Sequence, residues 1–182
     1  MFVLITVPHG FCLDQASERM CDIRATECAR ILERLLQVKH KTIHSHIPRS
    51  VVDLNRSPSA AVHPEWNKFN KRIISALQQH QKKNIILVDV HSFPKGSFDT
   101  AQIAIIDVMN KERPELRLLV DKVKRELKID IQLFNGGVNY IQNTYERHSY
   151  PILLEFCEDA DYLKAGEIKL FFKLFIDFFG LI

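Results

Sequence analysis

The chain has 182 residues, of which 46% are hydrophobic and 26% charged, and its formal net charge is +3. This length suits one α/β domain with a sizeable core and is short for two domains. The basic residues are spread along the chain without an interleaved aromatic stripe, so we expect no nucleic-acid partner. The apolar C-terminal run is interrupted by Lys173 and Asp177 and is too short to span a bilayer, so we expect no membrane partner.

Strands and helices are predicted to alternate along the chain, a pattern typical of a mostly parallel or mixed sheet with helices on both faces. The predicted strands lie at about 2–7, 41–47, 84–90, 101–108, 129–133 and 151–156. The predicted helices lie at about 17–37, 64–81, 113–127 and 161–179, and we expect the last one to pack on the core. No repeat or linker divides the chain, which favours a single domain over residues 1–182.

The cysteines show neither a CxxC pair nor a regular disulfide framework; they are Cys12, Cys21, Cys28 and Cys157. In a chain of this size they are most simply interpreted as reduced, partly buried thiols. The apolar N-terminal segment lacks the basic region and the cleavage pattern of a signal peptide. Together these features predict a cytoplasmic protein.

Two histidines lie where continuously apolar strands end, His9 after the first strand and His91 after the strand at 84–90. Such strands are typical of a sheet buried on both faces, and ligands of open α/β sheets bind at the carboxyl ends of the strands. Glu155 ends a third apolar strand. Three strands thus bring two imidazoles and a carboxylate to one edge, which indicates the site of a zinc hydrolase.

A zinc hydrolase typically has three protein ligands, so a third ligand must join His9 and His91. Asp22 is favoured over Glu27, and Cys12 ranks lower as a possible soft ligand. A carboxylate at the position of Asp22 is also a common helix cap, which is the alternative interpretation.

Further polar groups suggest how a substrate and the ligands would be held. Asp89 shares a strand face with His91 and is expected to orient its ring. In Asp53-Leu54-Asn55-Arg56, the guanidinium suits a substrate carboxylate and Asn55 offers a neutral donor. Asp53 would support Arg56 or a histidine, although a simple loop salt bridge is the commoner case.

The end of the chain contributes a turn and candidate acids. Asn135-Gly136-Gly137 marks a turn or a close approach of the backbone to a ligand. Burial of Glu155 would raise its pKa and suit it to act as general base and then acid. Glu158 and Asp159 are interpreted as capping or solvated groups.

Taken together, these segments resemble the N-formylglutamate amidohydrolase family and, more distantly, the zinc carboxypeptidase and aspartoacylase group. The matching pieces are in family order and span most of the chain: Val7-Pro8-His9-Gly10, Asp22-Ile23-Arg24-Ala25, Asp53-Leu54-Asn55-Arg56, Asp89-Val90-His91-Ser92, Asn135-Gly136-Gly137 and Leu154-Glu155. The resemblance implies a phosphorylase/hydrolase-like α/β sandwich with one zinc ion. The carboxypeptidase-like His-x-x-Glu pair is absent, because Cys12 stands at that position.

The resemblance also assigns roles to individual residues. His9, Asp22 and His91 would be the metal ligands, Arg56 the carboxylate clamp and Glu155 the catalytic base. The implied reaction is hydrolysis of the amide of a small N-acyl amino acid that carries a free carboxylate. A peptidase or cell-wall amidase on the same scaffold, or a non-catalytic binding protein that keeps the fold, are the alternatives, and the oligomeric state stays open.

Overall fold

The computed structural model describes residues 1–12, 21–58, 63–80, 84–108, 111, 113–137 and 139–182. These residues form six strands: β1 (Phe2–Val7), β2 (Lys39–His44), β3 (Ile85–Phe93), β4 (Ile103–Asp107), β5 (Ile131–Asn135) and β6 (Tyr150–Cys157). They also form five α-helices: α1 (Ala25–Leu35), α2 (Pro64–Gln78), α3 (Pro114–Leu127), α4 (Tyr140–Tyr145) and α5 (Ala165–Phe178). A 3₁₀ turn at Glu146–His148 joins α4 to β6.

The strands form one mixed sheet in the order β2-β1-β3-β6-β4-β5. The first four in that order are parallel, whereas β4 pairs antiparallel with β6 and β5 pairs parallel with β4. The predicted α/β fold with a mixed sheet is therefore confirmed. Because β1, β3 and β6 are parallel, their carboxyl ends meet at the same edge of the sheet.

One face of the sheet is covered by α1, α3 and α5, and it holds the larger hydrophobic cluster. The side chains of Phe171, Phe172 and Phe175 on α5 are fully buried in this cluster. Burial of one such side chain contributes about 1.5–3 kcal/mol relative to exposure. The phenylalanine-rich C-terminal segment is thus a core helix, as its sequence predicts.

The other face is covered by α2 and α4 over its β2-β1-β3 half. Trp66 and Ile73 of α2 and Ile141 of α4 pack there against Leu4 and Leu87. Further along the same face, side chains of β6, β4 and β5 line a cleft. The polar residues at the carboxyl ends of β1, β3 and β6 open into this cleft.

Several predicted boundaries differ from those observed. Residues 21–24 precede α1 instead of belonging to it, while the predicted helical positions 17–20 lie outside the described residues, as does position 81 of the next helix. The second strand ends at His44, because the Ser45 hydroxyl donates to the Ile47 carbonyl (2.7 Å) and accepts from its amide (3.1 Å). The helix α4 was not predicted.

The prediction that all four cysteines are reduced is wrong. Cys12 and Cys21 form a disulfide that closes the segment between β1 and α1. Cys28 and Cys157 are free, and both are buried. Among the helices that the structure describes, we find none with the length and apolar character to cross a membrane.

Candidate metal centre

The two histidines at the carboxyl edge of the sheet lie side by side. His9 follows β1, His91 lies in the neighbouring strand β3, and both are buried. Their ring centroids are 4.9 Å apart. Because β1 and β3 pair in parallel along their length, residues that are more than eighty positions apart meet here.

Asp22 lies between the two rings. Its backbone amide donates to the carbonyl of His9 (3.0 Å). This hydrogen bond holds the segment that precedes α1 against the residues that follow β1. Its Oδ2 atom is 2.6 Å from His91 Nδ1 and 3.5 Å from His9 Nδ1. Its side chain therefore faces the histidines and does not cap α1, whose first residue is Ala25.

These three residues fit a metal ion. One ligand atom from each of His9, Asp22 and His91 lies within 4.8 Å of the other two. His9 Nδ1 is buried and has no hydrogen-bond partner among the described residues. Two imidazole nitrogens and one carboxylate oxygen form a donor set that zinc accepts readily. A buried imidazole nitrogen that faces a carboxylate shared with a second imidazole is the arrangement expected of residues that bind a cation.

The second nitrogen of each ring faces another carboxylate. His9 Nε2 is 2.8 Å from Asp53 Oδ1, and His91 Nε2 is 3.1 Å from Asp89 Oδ2. Metal-bound histidines usually donate their other N–H to such a group, which fixes the orientation of the ring. Both histidines therefore present Nδ1 to the common point beside Asp22.

Asp89 is itself held on all sides and has no exposed surface. The Thr6 hydroxyl donates to its Oδ1 (2.6 Å), and the Asn139 amide donates to its Oδ2 (2.9 Å). The Asn55 amide approaches the same Oδ2 at 3.4 Å. These hydrogen bonds hold the carboxylate of Asp89 in place behind His91.

The charges at the centre favour a cation. Burial alone would lower the pKa of His91, but the carboxylates of Asp89 and Asp22 outweigh it and raise the pKa well above its ordinary value. Burial alone would raise the pKa of Asp22, but the charge of His91 and the contact with His9 hold it well below its usual range. Without a metal, positive charge is thus stabilised on the imidazole.

A set of polar contacts fixes the loop that carries Asp22. The Ser92 hydroxyl accepts from the Arg24 amide (3.1 Å) and donates to Glu158 Oε1 (2.8 Å), which also accepts from the Ile23 amide (3.0 Å). The interpretation of Glu158 as a capping or solvated group is therefore wrong. Asp159 does cap a turn, since its side chain accepts from the amides of residues 161 and 162.

Arg24 ties the same loop to the end of β6. Its guanidinium is buried and donates to the carbonyls of Cys157 (3.0 Å) and Leu163 (2.6 Å). Its Nε atom lies 3.3 Å from the carboxylate of Glu27. Glu27, the alternative third ligand, is therefore paired with Arg24. The other alternative, Cys12, has its sulfur in the disulfide.

Glu155 lies in β6 as the register partner of His91, and it lines the cleft. Burial raises the pKa of Glu155 to about 8, against the opposing charge of His91. Within the described part of the chain, its carboxyl group makes no hydrogen bond. A carboxyl group whose pKa lies near neutrality can both accept and return a proton, which suits acid–base catalysis.

The cleft in front of these residues has a volume of about 610 Å³, and the loop at 49–56 forms its polar rim. Asp53 Oδ2 lies 3.3 Å from Arg49 Nε and 3.6 Å from Arg56 Nε. Burial opposes ionisation of Asp53, but the hydrogen bond with His9 and the nearby Arg49 hold its pKa well below the usual range. Asp53 thus contacts His9, Arg49 and Arg56. It therefore both forms a salt bridge within the loop and supports a histidine, so the two interpretations of this residue hold together.

The remaining residues predicted to bind substrate also line the cleft. Asn55 is buried, and its Oδ1 accepts from the Ile141 amide (3.2 Å), which ties the rim to α4. Gly136 and Gly137 adopt φ angles of 90° and 112°, a backbone conformation that favours glycine. They follow β5 directly, at the point where the sequence predicts a turn or a close approach of the backbone to a ligand.

Sequence reasoning missed several residues that line the cleft, among them Arg49, Phe98, Phe134 and Asn139. Arg49 precedes Asp53 by four positions, and this spacing was the available signal. Asn139 caps α4 by accepting from the Gln142 amide (2.8 Å), so asparagine before the helix was a second signal.

No protein-family model matches the sequence, and no curated protein matches it. Solved structures do share the fold. The gene product Atu2144 from Agrobacterium tumefaciens superposes with a TM-score of 0.69 at 15% identity, over 98% of this chain and 87% of that chain. The catalytic domain of CwlV, an N-acetylmuramoyl-L-alanine amidase from Bacillus (Paenibacillus) polymyxa var. colistinus, gives a TM-score of 0.54 at 12% identity, over 100% and 99%.

Succinylglutamate desuccinylase from Chromobacterium violaceum gives a TM-score of 0.55 at 14% identity, and the match covers 95% of this chain and 60% of that chain. At these identities the likeness shows the fold that the chain shares with an amidase and a desuccinylase. These matches do not show that the chain belongs to the N-formylglutamate amidohydrolase family.

Proposed function

We propose that this protein is a zinc-dependent amidohydrolase that cleaves the amide bond of a small N-acyl amino acid similar to N-formylglutamate. The observation that carries the proposal is the placement of His9, Asp22 and His91, whose ligand atoms lie within 4.8 Å of one another beside a cleft. The amidase and the desuccinylase among the structures of the same fold support hydrolysis of an amide bond.

His9, Asp22 and His91 would hold the zinc ion and leave a fourth position open, as in other zinc hydrolases. When bound, zinc would supply Lewis acidity, which polarises a carbonyl group and makes water acidic near neutral pH. Asp53 and Asp89 would accept the Nε2 protons of the two histidines and so keep Nδ1 directed at Asp22.

Glu155 is the residue placed to move protons. It would accept a proton from the attacking water while the new carbon–oxygen bond forms at the amide carbonyl. It would then give that proton to the amine when the carbon–nitrogen bond breaks, so the products are a carboxylic acid and an amine. Its pKa of about 8 leaves both protonation states accessible near neutral pH.

Arg56 would hold the free carboxylate of the substrate. A guanidinium binds a carboxylate through two parallel hydrogen bonds, which fixes position as well as charge. The side chain of Arg56 is 53% exposed at the rim of the cleft, and Asp53 lies 3.6 Å from its Nε. Because Asp53 also contacts His9, the carboxylate clamp and the metal centre share one supporting residue.

The first test is elemental analysis of the purified protein, followed by hydrolysis assays with N-acyl amino acids and short peptides. We expect one zinc ion per chain and turnover of N-acyl amino acids. Glu155→Gln should keep stoichiometric zinc and lose turnover by about 10²–10⁴-fold. Glu126→Gln on α3, outside the cleft, is the matched control and should change neither measurement.

Three results would contradict the proposal. A protein that takes up no divalent metal has a different centre. Equal turnover in Glu155→Gln would remove this residue from the mechanism. Cleavage of peptides or cell-wall fragments without any cleavage of N-acyl amino acids would assign the cleft to the peptidase or amidase alternative.

A further inference from the structure

The two ends of the cleft have different chemistry. The loop at 49–56 carries Arg49 and Arg56, and these are the cations among the described residues that line the cleft. The opposite end is aromatic. The ring of Phe98 contacts that of Phe93 (centroids 4.8 Å apart) and that of Phe134 (5.0 Å apart).

The floor at the aromatic end is built by the sheet itself. Leu153 of β6, Ile106 of β4 and Phe134 of β5 are register partners, so one apolar side chain from each of three adjoining strands lies on the same face. All three line the cleft. We call Leu153, Ile106, Phe134 and Phe98 the apolar strip.

The apolar strip begins directly beside the reacting groups. Glu155 follows Leu153 by two positions and therefore shares its face of the sheet. His91 is the register partner of Glu155, just as Asp89 is the partner of Leu153. From β6 to β5 the strip spans two inter-strand spacings, which amounts to about 10 Å.

A surface of this composition is suited to an apolar ligand. Contiguous apolar patches with a polar border usually mark ligand or interaction sites. A second carboxylate on the substrate would find no cation of the described lining at this end, so burial of its charge would be unfavourable. The strip therefore selects against acidic acyl groups and favours hydrocarbon.

On the basis of the proposed function, we infer that the substrate is an amino acid carrying an apolar acyl group of about six carbons. Its carboxylate lies at Arg56, its amide lies between the metal residues and Glu155, and its acyl chain lies along the apolar strip. Phe98 and Phe134 are the residues that determine this specificity. A formyl or acetyl group would leave most of the strip empty.

The test uses Glu155→Gln, which binds substrate without consuming it, and measures affinity by calorimetry with zinc present. The probes are N-formylglutamate, N-acetylglutamate and N-hexanoylglutamate. Each methylene that leaves water should tighten binding by about fourfold, and hexanoyl has four methylenes more than acetyl, so complete burial on the strip would favour hexanoyl by about 250-fold and partial burial by at least about tenfold. Equal affinities for the three probes would overturn the inference.

Matched variants in the same background locate the effect. Phe98→Ala and Phe134→Ala should remove most of the preference for hexanoyl over acetyl and leave the affinity for N-formylglutamate unchanged. Phe178→Ala, a half-buried phenylalanine on α5 away from the cleft, should keep the preference. A preference that survives both cleft substitutions would also overturn the inference.

Hydrolysis by the unaltered protein separates this inference from the proposed function. Turnover of N-formylglutamate alone, with weak binding of the longer probe, would retain the proposed function and contradict the apolar strip. Tight binding of N-hexanoylglutamate without hydrolysis of any probe would support the role of the apolar strip in binding and contradict the proposed function.

Discussion

The two histidines of the candidate metal centre are supported in different ways. His91 lies within β3, and its Nε2 faces Asp89, a carboxylate without exposed surface. His9 lies beyond β1, and its Nε2 faces Asp53, whose side chain is 24% exposed on the rim loop. One half of the centre is thus built on strands in the core and the other half on a loop beside the substrate.

This difference separates two tasks. Strands that are buried on both faces cannot shift without loss of core packing, so the β3 half would fix the position of a bound metal. The loop half connects His9 to Arg49 and Arg56 through Asp53. Binding of a carboxylate at the rim would therefore act on His9 through Asp53, whereas His91 meets the rim loop only through Asn55 among the described residues, whose Nδ2 lies 3.1 Å from its Nε2.

The largest effect is expected from removal of a histidine. His91→Ala and His9→Ala each leave two ligands, so neither protein should retain zinc after desalting, as measured by elemental analysis. Near-ultraviolet circular dichroism would show whether each variant is still folded. A folded His91→Ala protein with stoichiometric zinc would remove this residue from the centre.

Asp53 and Asp89, the two carboxylates that face the histidines, are expected to differ in their effect on stability. Asp53→Asn should weaken zinc binding by about 10–100-fold and leave thermal stability almost unchanged. Asp89→Asn should weaken zinc binding as much and also destabilise the fold by about 1–3 kcal/mol, because an amide would face the donors of Thr6 and Asn139. Asp121→Asn, on α3, is the control for both measurements. Equal thermal stability of Asp53→Asn and Asp89→Asn would show that the two histidines are not supported in different ways.

The pH dependence of zinc binding reports on His91. Because Asp89 and Asp22 raise the pKa of His91 in the metal-free protein, a proton competes with zinc up to a pH above the ordinary histidine range. Zinc affinity should rise with pH by up to about tenfold per unit until His91 is neutral, as measured by titration from pH 6 to 9. The same curve for Asp89→Asn should level off at a lower pH. Identical curves would show that Asp89 does not control this proton.

The smallest effect on zinc is expected from the disulfide. Replacement of Cys12 and Cys21 by serine opens the short loop and should lower the free energy of unfolding by about 2–3 kcal/mol. Zinc affinity should change less than tenfold, because Arg24 and Ser92 still hold the loop of Asp22. Chemical denaturation and zinc titration measure the two effects. Complete loss of zinc would show that the disulfide positions Asp22.

The strand-built part of the site was open to prediction from sequence. A run of apolar residues that leads to a histidine indicates a buried strand near the edge of a sheet. His9 follows β1 as this pattern predicts, whereas His91 lies inside β3, which continues to Phe93. Asp89 follows from the same periodicity, since alternate residues share a face. Glu27 and Cys12 remained alternatives to Asp22 as the third ligand, because the sequence between β1 and α1 shows neither helical nor strand periodicity.

Other features are harder to predict from the sequence. The helix α4 covers Tyr140–Tyr145, which is too short to show the period of an amphipathic helix. The spacing of Cys12 and Cys21 matches no motif, so their pairing depends on how the chain folds. Phe98 and Phe134 could not be assigned to the cleft from the sequence, because an apolar side chain looks the same in sequence whether it packs in a core or lines a cleft.

The reversed direction of β4 and β5 has a consequence for how such a protein can diversify. The segments that follow these two strands enter the cleft from the edge opposite to the metal residues, and Val108, Gly136 and Gly137 mark their entry. Insertions or deletions after β4 would alter which molecules the cleft accepts, whereas the segment after β5 leads to Asn139, which donates to Asp89 (2.9 Å) and so constrains changes there. In the proposed enzyme, evolution or an engineer would thus change the choice of substrate after β4 without rebuilding the metal residues.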